Sequence, residues 1–323
     1  MRIFDAPATA AALPFERLIA ALRERFAAGA SVPPRHVHNI DNPAASDAAA
    51  TGAAPLTSPI TSLIMPAWVP GQYYGVKVVN VAPGNAARGL PGLHASYLLH
   101  DATTGVPLAL IDGNELTARR TAAASALAAS WLAREDALHL LVVGAGRVAQ
   151  LLPWAYRAVR DIERVTVWAR SFDKAQALAQ VWGEQGIAAQ ASADLEAAVR
   201  GADIVSCATL ATEPLIQGRW LQGGSHLDLI GGFTPQMREA DDACFAGAAI
   251  FVDTTEALQK SGDLLGPMAR GVFAAADVRG TLADLCRGVV AGRCGATQRT
   301  VFKSVGTALE DLAAAVLVYE SAD

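Results

Sequence analysis

Residues 138–149 have the sequence Leu-His-Leu-Leu-Val-Val-Gly-Ala-Gly-Arg-Val-Ala, an apolar run that leads directly into two glycines. The last six form a Gly-x-Gly-x-x-Ala fingerprint that ends a predicted strand and opens a predicted helix. Gly144 allows the tight turn, and Gly146 lets the backbone approach a pyrophosphate at the helix N-terminus. The stretch therefore favours a dinucleotide-binding loop over an ordinary strand–helix turn. We expect cofactor contacts from Gly144, Ala145, Gly146, Arg147 and Val148.

The chain around and beyond this loop alternates between strand and helix patterns. Apolar strands are predicted at 138–143, 165–169, 187–190, 204–208, 225–230 and 249–252, with helices at 147–159, 172–184 and 193–200. Continuous apolar strands that alternate with helices indicate a parallel sheet covered on both faces. We therefore predict an α/β fold with a Rossmann-type doubly wound parallel sheet.

The flanking segments have a different pattern. Before the loop, strands at 62–66, 75–81, 96–99 and 107–112 follow a helix at 14–28 and an irregular loop at 41–58. The composition changes at Leu116, and an alanine-rich helix is predicted at 117–133 with Thr117 as its N-cap. A short strand-like run at 300–304 and an amphipathic helix at 306–321 come last.

The end of the second predicted strand indicates which dinucleotide binds. An NAD site usually has an acidic residue there, which holds the ribose 2′-hydroxyl. Here the strand ends in Trp168-Ala169-Arg170-Ser171, and Lys174 follows one helical turn later. Two cations without a carboxylate favour the 2′-phosphate of NADPH, held near Ala169, Arg170, Ser171 and Lys174. NADH stays an alternative, because the same cations could belong to a solvated helix face.

The composition excludes several classes of protein. Of the 323 residues 52% are hydrophobic and 18% are charged, with a net charge of −5, which excludes an intrinsically disordered chain. Neither a basic stripe with interleaved aromatics nor an apolar run of about eighteen residues occurs, so we expect neither nucleic acid nor a membrane as a partner. The N-terminal sequence lacks signal features, and the four cysteines and six histidines lack metal-ligand spacing. A cytoplasmic protein without a metal site is expected.

Three cationic residues lie at positions where the surrounding sequence does not predict a solvated charge. Lys77 interrupts an apolar strand, Arg120 lies at the start of the alanine-rich helix, and Arg35 follows Pro33-Pro34. A buried cation is costly without a partner, so each is expected to meet a carboxylate. For one isolated cation a structural ion pair is the usual outcome, whereas three together favour a small anionic substrate. Sequence spacing does not show whether they converge.

Several longer motifs together resemble the ornithine cyclodeaminase/mu-crystallin family, from about residue 60 onwards. They are Gly-Val-Lys-Val-Val at 75–79, Ile-Asp-Gly-Asn-Glu-Leu-Thr-Ala-Arg-Arg-Thr-Ala-Ala at 111–123, the Gly144 loop, Thr-Leu-Ala-Thr-Glu-Pro at 209–214, Arg-Glu-Ala-Asp-Asp at 238–242, Ser-Gly-Asp at 261–263 and Val-Phe-Lys-Ser-Val-Gly at 301–306. The resemblance implies a homodimer in which the N-terminal third and the C-terminal helix form an α+β substrate-binding and dimerisation domain. We place this domain at 1–116 and 300–323, and the nucleotide-binding domain at 117–299.

The resemblance also implies roles for individual residues. Lys77 and Arg120, with Arg35, would bind the substrate carboxylate and neighbouring polar groups, and Lys77 would be the best candidate for the proton donor. Thr209 and Leu210 would line the nicotinamide side of the cofactor site, and Lys303 would lie near the cofactor. Ala208 and Phe233 are further expected cofactor contacts.

One departure from the family pattern bears on the reaction. Cyclodeaminases of this family supply an aspartate to the substrate amine from a Gly-Gly-Asp or Gly-Ala-Asp segment, whereas this chain has Gly231-Gly232-Phe233. The resemblance then favours the ketimine reductases, which use NAD(P)H to reduce a cyclic imino acid. Δ1-Pyrroline-2-carboxylate would give L-proline, and Δ1-piperideine-2-carboxylate, a second candidate, would give L-pipecolate. The alternatives are an alanine or opine-type dehydrogenase, an ornithine cyclodeaminase, and a non-catalytic NADPH- and ligand-binding protein. Asp228 is a reserve candidate for an acid.

Overall fold

The computed structural model describes residues 1–41 and 59–321. Most of the loop predicted at 41–58 lies outside these residues. The chain divides into two compact units. The first contains Met1–Pro14, Gly29–Thr117 and Thr307–Asp323, and the second contains Phe15–Ala28 and Ala118–Gly306.

The first unit is built on a six-stranded sheet with the order β1-β6-β5-β4-β3-β2. Its strands are β1 (Arg2–Phe4), β2 (His36–Ile40), β3 (Ile60–Trp68), β4 (Tyr73–Val81), β5 (Leu93–Asp101) and β6 (Pro107–Asp112). β1 pairs with β6 in parallel, and the other neighbours are antiparallel. In β4 the buried positions alternate and include Gly75, Lys77 and Val79. These residues therefore share one face of the sheet.

The second unit is built on an eight-stranded parallel sheet with the order β13-β12-β14-β11-β10-β7-β8-β9. Its strands are β7 (His139–Val143), β8 (Arg164–Trp168), β9 (Ala189–Ala191), β10 (Ile204–Cys207), β11 (His226–Leu229), β12 (Ala249–Val252), β13 (Val278–Thr281) and β14 (Thr300–Lys303). β7 to β11 follow the 3-2-1-4-5 order of a Rossmann sheet, so the strand order reverses beside β7. The predicted Rossmann-type parallel sheet is confirmed.

Ten α-helices accompany the two sheets in the described chain. They are α1 (Ala6–Ala12), α2 (Phe15–Ala28), α3 (Gly113–Leu132), α4 (Arg147–Arg157), α5 (Phe172–Glu184), α6 (Leu195–Arg200), α7 (Ala257–Lys260), α8 (Gly262–Ala269), α9 (Leu282–Cys286) and α10 (Ala308–Glu320). In the first unit α10 packs on strands β3 to β6. Short 3-10 turns lie at Pro83–Arg88, Gly218–Trp220, Asp242–Cys244 and Ala275–Asp277.

The structure corrects three predicted boundaries. Strand β14 lies between β11 and β12 in the eight-stranded sheet, so the predicted boundary at residue 300 is wrong, and the chain returns to the first unit at Thr307. Helix α2 packs on α4 and α9 and belongs to the second unit, not to the first. Thr117 is not an N-cap, because α3 begins at Gly113, where the Asp112 carboxylate accepts the Glu115 N–H at 2.8 Å. A carboxylate in that position satisfies one of the free N–H groups of the first helical turn.

Candidate active site

The glycine loop after β7 has the geometry that its sequence predicts. Gly144 has a φ of +125°, and its N–H donates to the Trp168 carbonyl at 2.8 Å. A Cβ on Gly144 would lie 2.6 Å from the Ala208 carbonyl oxygen, so a side chain does not fit. Gly146 is the N-cap of α4, and apart from its chain neighbours no described atom lies within 4 Å of the place of its Cβ. The start of α4 is therefore open to a pyrophosphate.

The end of β8 is exposed and basic. Arg170, Ser171 and Lys174 are exposed, and Ser171 is the N-cap of α5. Within the described chain, the Ser171 side chain makes no capping hydrogen bond. Gly144 and Trp168 are hydrogen-bonded, so this basic segment begins beside the glycine loop.

The segment after β10 lies against the same loop. Ala208 donates its N–H to the Val143 carbonyl at 2.9 Å, which continues the pairing with β7. The Thr209 methyl carbon lies 3.5 Å from the place of a Gly144 Cβ, and the Leu210 side chain is 77% exposed. The structure thus brings together the glycine loop, Ala208 and Thr209, which the sequence predicts to lie on the cofactor site.

Glu239 holds the segments that follow β10 and β11. Its carboxylate is fully buried, with Oε1 accepting from the Thr209 N–H at 2.7 Å and from the Thr209 hydroxyl at 2.8 Å. Its Oε2 accepts from the Gly231 N–H at 2.7 Å. Burial raises the pKa of Glu239 to about 7, although the nearby Lys303 charge opposes the rise. Glu239 lies in the Arg-Glu-Ala-Asp-Asp motif at 238–242, but this motif alone predicts no role for its carboxylate.

A buried ion pair supports Glu239. Lys303 Nζ lies 3.2 Å from Asp263 Oδ2, and both side chains are completely buried. Asp263 Oδ1 accepts from the Glu239 N–H at 2.7 Å. A Cβ on Gly231 would collide with the Thr209 carbonyl, and one on Gly232 would collide with the Asp263 carboxylate. The two glycines are therefore required by the close approach of these groups, and Lys303 lies in the buried cluster beside them.

Phe233 follows these two glycines at the carboxyl end of β11. Its side chain is 38% exposed, so the position that carries an aspartate in the cyclodeaminase pattern presents an apolar ring.

Asp228, the reserve acid, is fully buried in β11. It accepts hydrogen bonds from the hydroxyls of Ser125 (3.1 Å), Tyr156 (2.9 Å) and Ser206 (2.5 Å). Burial raises the pKa of Asp228 to about 6. Its carboxylate therefore joins α3, α4 and β10 in the core.

In the first unit, Lys77 has the carboxylate partner that the sequence analysis expects. Its Nζ lies 2.7 Å from Asp311 Oδ1 on α10, and both residues are buried. Lys77 is paired across the sheet with Met65 on β3 and Tyr97 on β5.

Arg35 is half-buried and directly precedes His36, which pairs with Ile64. Arg35 therefore lies level with Met65 and Lys77, two strands or roughly 10 Å from Lys77 along the sheet.

Arg120 belongs to the second unit and is buried two turns into α3. Its guanidinium packs against Gly306, where a Cβ would lie 2.6 Å from Nη1. The Gly306 N–H is in turn held by the Asp253 carboxylate at 2.6 Å. No site role was predicted for Asp253, Asp263 or Asp311. The available signals were the Ser-Gly-Asp motif for Asp263, the apolar strand that ends at Asp253, and the apolar run that follows Asp311.

Two features are absent from the residues that the structure describes. In residues 1–41 and 59–321 no cluster of three histidine, cysteine, aspartate or glutamate side chains could hold a metal ion. Within the described chain, none of the helices combines the length and apolar character of a membrane-spanning segment.

Comparison with known proteins gives a consistent result. The model of the ornithine cyclodeaminase/mu-crystallin family matches residues 61–323. The Δ1-pyrroline-2-carboxylate reductase of Paracoccus denitrificans is 48% identical over 256 residues, which cover 78% of this chain and 80% of the relative. The structure of Thermococcus litoralis Δ1-pyrroline-2-carboxylate reductase, in complex with NADH and L-proline, aligns with a TM-score of 0.90 at 32% identity, covering 100% of this chain and 97% of the other. An archaeal alanine dehydrogenase dimer with bound NAD aligns with a TM-score of 0.88 at 28% identity, covering 100% and 96%. The chain therefore belongs to the ornithine cyclodeaminase/mu-crystallin family.

Proposed function

We propose that this protein is an NAD(P)H-dependent reductase of cyclic imino acids that converts Δ1-pyrroline-2-carboxylate to L-proline. Relatives with that activity in their names are similar in sequence and in fold over most of the chain. The observation that carries the substrate assignment is Phe233. An apolar ring at this position offers no carboxylate to a substrate amine, which fits an imine substrate better than a diamino acid. Δ1-Piperideine-2-carboxylate is the second candidate substrate.

The second unit provides a fitting place for the dinucleotide. Gly146 leaves open space at the start of α4, where unpaired N–H groups favour a pyrophosphate. Arg170, Ser171 and Lys174 are exposed at the end of β8, and this supports NADPH, with NADH as the alternative. When bound, the cofactor supplies the hydride that reduces the C=N bond. Ala208 and Thr209, packed against the glycine loop, would then lie along the nicotinamide side.

The cationic side chains have separate tasks in this proposal. Arg120 and Lys77, with Arg35, hold the substrate carboxylate and so orient the imine carbon. A favourable orientation holds reacting atoms about 3–3.5 Å apart, and misplacement by 1 Å costs about a hundredfold in rate. Lys77 gives the proton that the imine nitrogen needs as its carbon becomes tetrahedral.

The test is a comparison of substrates with one purified enzyme. NADPH or NADH consumption is followed with Δ1-pyrroline-2-carboxylate, with Δ1-piperideine-2-carboxylate, and with pyruvate plus ammonia. We expect rapid consumption with a cyclic imine alone. Turnover only with pyruvate and ammonia would instead identify an alanine dehydrogenase, the second candidate that the archaeal structure favours. NADPH binding without turnover on any of the three would favour a ligand-binding protein.

We also propose that the enzyme is a homodimer. The archaeal alanine dehydrogenase that shares its fold is a dimer, and the family resemblance implies the same assembly. Light scattering after size-exclusion chromatography should give twice the mass of the 33.5 kDa chain. The cytoplasmic location expected from the sequence stays a prediction.

A further inference from the structure

The C-terminal helix α10 carries a carboxylate to the proposed proton donor. Asp311 Oδ1 lies 2.7 Å from Lys77 Nζ, and the side chains are 0% and 2% exposed. The two residues are 234 positions apart in sequence, so the pair exists only because α10 packs on the first sheet. Two buried charges are expensive to desolvate, and well-packed apolar residues of similar volume often stabilise a fold as well or better. The pair is therefore a weak device for stability alone.

Within its unit, Lys77 faces one carboxylate and one tyrosine. From α10 comes Asp311, and its chain neighbour Glu310 is buried as well. From β5 comes Tyr97, directly across from Lys77, with a buried hydroxyl that has no hydrogen-bond partner in the described chain. Burial, and then the charge of Asp311, raise the pKa of Tyr97 well above its ordinary value, so Tyr97 stays neutral. Strand β3 has no titratable residue.

We propose that Asp311 is a positioning residue that keeps Lys77 charged and fixed, and that α10 is therefore part of the catalytic apparatus. The inference rests on the proposed function, in which Lys77 gives a proton to the imine nitrogen. In that step a lysine N–H bond breaks and an N–H bond to the substrate forms, while the hydride adds to the neighbouring carbon. The neutral lysine then recovers a proton from solvent, and the adjacent Asp311 carboxylate favours this recharging.

The test is the pH profile of Asp311→Asn. Asparagine keeps an oxygen that can accept from Lys77 Nζ but removes the negative charge. A buried ammonium without a counter-charge loses its proton more readily. We expect kcat/KM for the cyclic imine to stay near wild type at about pH 6 and to fall at least about tenfold at about pH 8.5. Asp311→Glu, which restores the charge, should recover much of the alkaline activity.

Glu320→Gln is the matched control. Glu320 lies on the same helix and also bonds to β4, since it accepts from the Tyr73 hydroxyl at 3.0 Å, but this contact is exposed and distant from Lys77. Its pH profile should match that of wild type. If Asp311→Asn lowers kcat/KM by the same factor at every pH, Asp311 is only a structural anchor and the inference is wrong.

A second measurement separates this inference from the proposed function. The NMR chemical shift of the Lys77 Nζ nitrogen reports its protonation without any substrate. In Asp311→Asn, or in Asp311→Ser if the asparagine variant does not fold, the titration should move to lower pH, whereas in Asp311→Glu, which keeps the charge, it should stay near that of wild type. A titration that does not respond to loss of the charge overturns the inference. An enzyme inactive on imines whose Lys77 titration still moves would overturn the proposed function alone.

Discussion

The Glu239 carboxylate accepts both hydrogen bonds that Thr209 can donate, one from the backbone N–H at 2.7 Å and one from the hydroxyl at 2.8 Å. Its other oxygen accepts the Gly231 N–H. One buried side chain therefore fixes the segments that leave two neighbouring strands at the carboxyl edge of the sheet. In Rossmann folds this edge is where ligands bind.

Replacing Glu239 should consequently loosen the cofactor side of the site. In Glu239→Gln the amide nitrogen replaces one of the two carboxylate oxygens. It then faces an N–H group that in the wild type donates to that oxygen, and the two donors cannot bond. A buried group left unsatisfied costs about 1–3 kcal/mol. We expect a lower Tm and weaker NADPH binding, measured by thermal unfolding and by nucleotide fluorescence. Glu184→Gln is the control, because Glu184 is exposed and accepts from Gln180 in the same helix. Unchanged NADPH affinity in Glu239→Gln would show that Thr209 does not need this support.

Asp228 should make the protein less stable as the pH rises. Its pKa in the folded state is about 6, against an ordinary value of 3.8, so the folded chain holds this proton more tightly than the unfolded chain does. The tighter binding of this proton contributes about 3 kcal/mol to the free energy of unfolding. This contribution is fully present below about pH 3.8 and is lost as the pH rises through about 6. Asp228→Asn, which imitates the protonated acid, should flatten this part of the stability curve. Denaturant unfolding of both proteins between pH 4 and 7.5 measures it, and identical slopes would contradict the assignment.

Arg170 should determine the preference between the two dinucleotides. Its side chain is exposed beside the N-cap of α5, and a charged hydrogen bond to a phosphate contributes about 1.5–3 kcal/mol. Arg170→Ala should lower the ratio of kcat/KM for NADPH to that for NADH by about tenfold or more. Arg200→Ala is the control, since Arg200 is paired with Glu196 on another helix. A ratio that does not move would assign Arg170 to the solvated surface.

Arg120 should act on substrate binding and orientation. If its guanidinium holds the substrate carboxylate, Arg120→Ala should raise KM for the cyclic imine about ten- to a hundredfold and lower kcat through misplacement. The affinity for NADPH should change little. Steady-state kinetics of Arg120→Ala and of the neighbouring Arg119→Gln separate the two arginines; Arg119 lies over the Phe15 ring. Constants near wild type in Arg120→Ala would remove it from the substrate site.

The local features of the fold were predictable because they depend on short sequence patterns. The apolar run before Gly144 and the helix at 172–184 follow directly from periodicity, and the structure has them where expected. Strand β1 was missed because it is three residues long and has no buried residue. Strand β14 was assigned to the wrong unit because its neighbours, β11 and β12, are distant in sequence.

The partners of the buried charges were not predictable for a related reason. The sequence indicates that Lys77 needs a carboxylate, but Asp311 becomes that carboxylate only through the packing of α10 on β4. Glu239 and Thr209 are similarly joined by two loops whose approach depends on Gly231. Apolar periodicity indicates which face of an element is buried. It does not indicate which polar groups meet inside.

The most direct test of the proposed reaction is product formation from Δ1-pyrroline-2-carboxylate and NADPH without ammonia. We expect L-proline, identified by chiral chromatography, in an amount equal to the NADPH consumed, with no D-proline. Lys77→Met should abolish this conversion while NADPH still binds. Absence of proline from an enzyme that binds NADPH would contradict the assignment as a cyclic imino acid reductase.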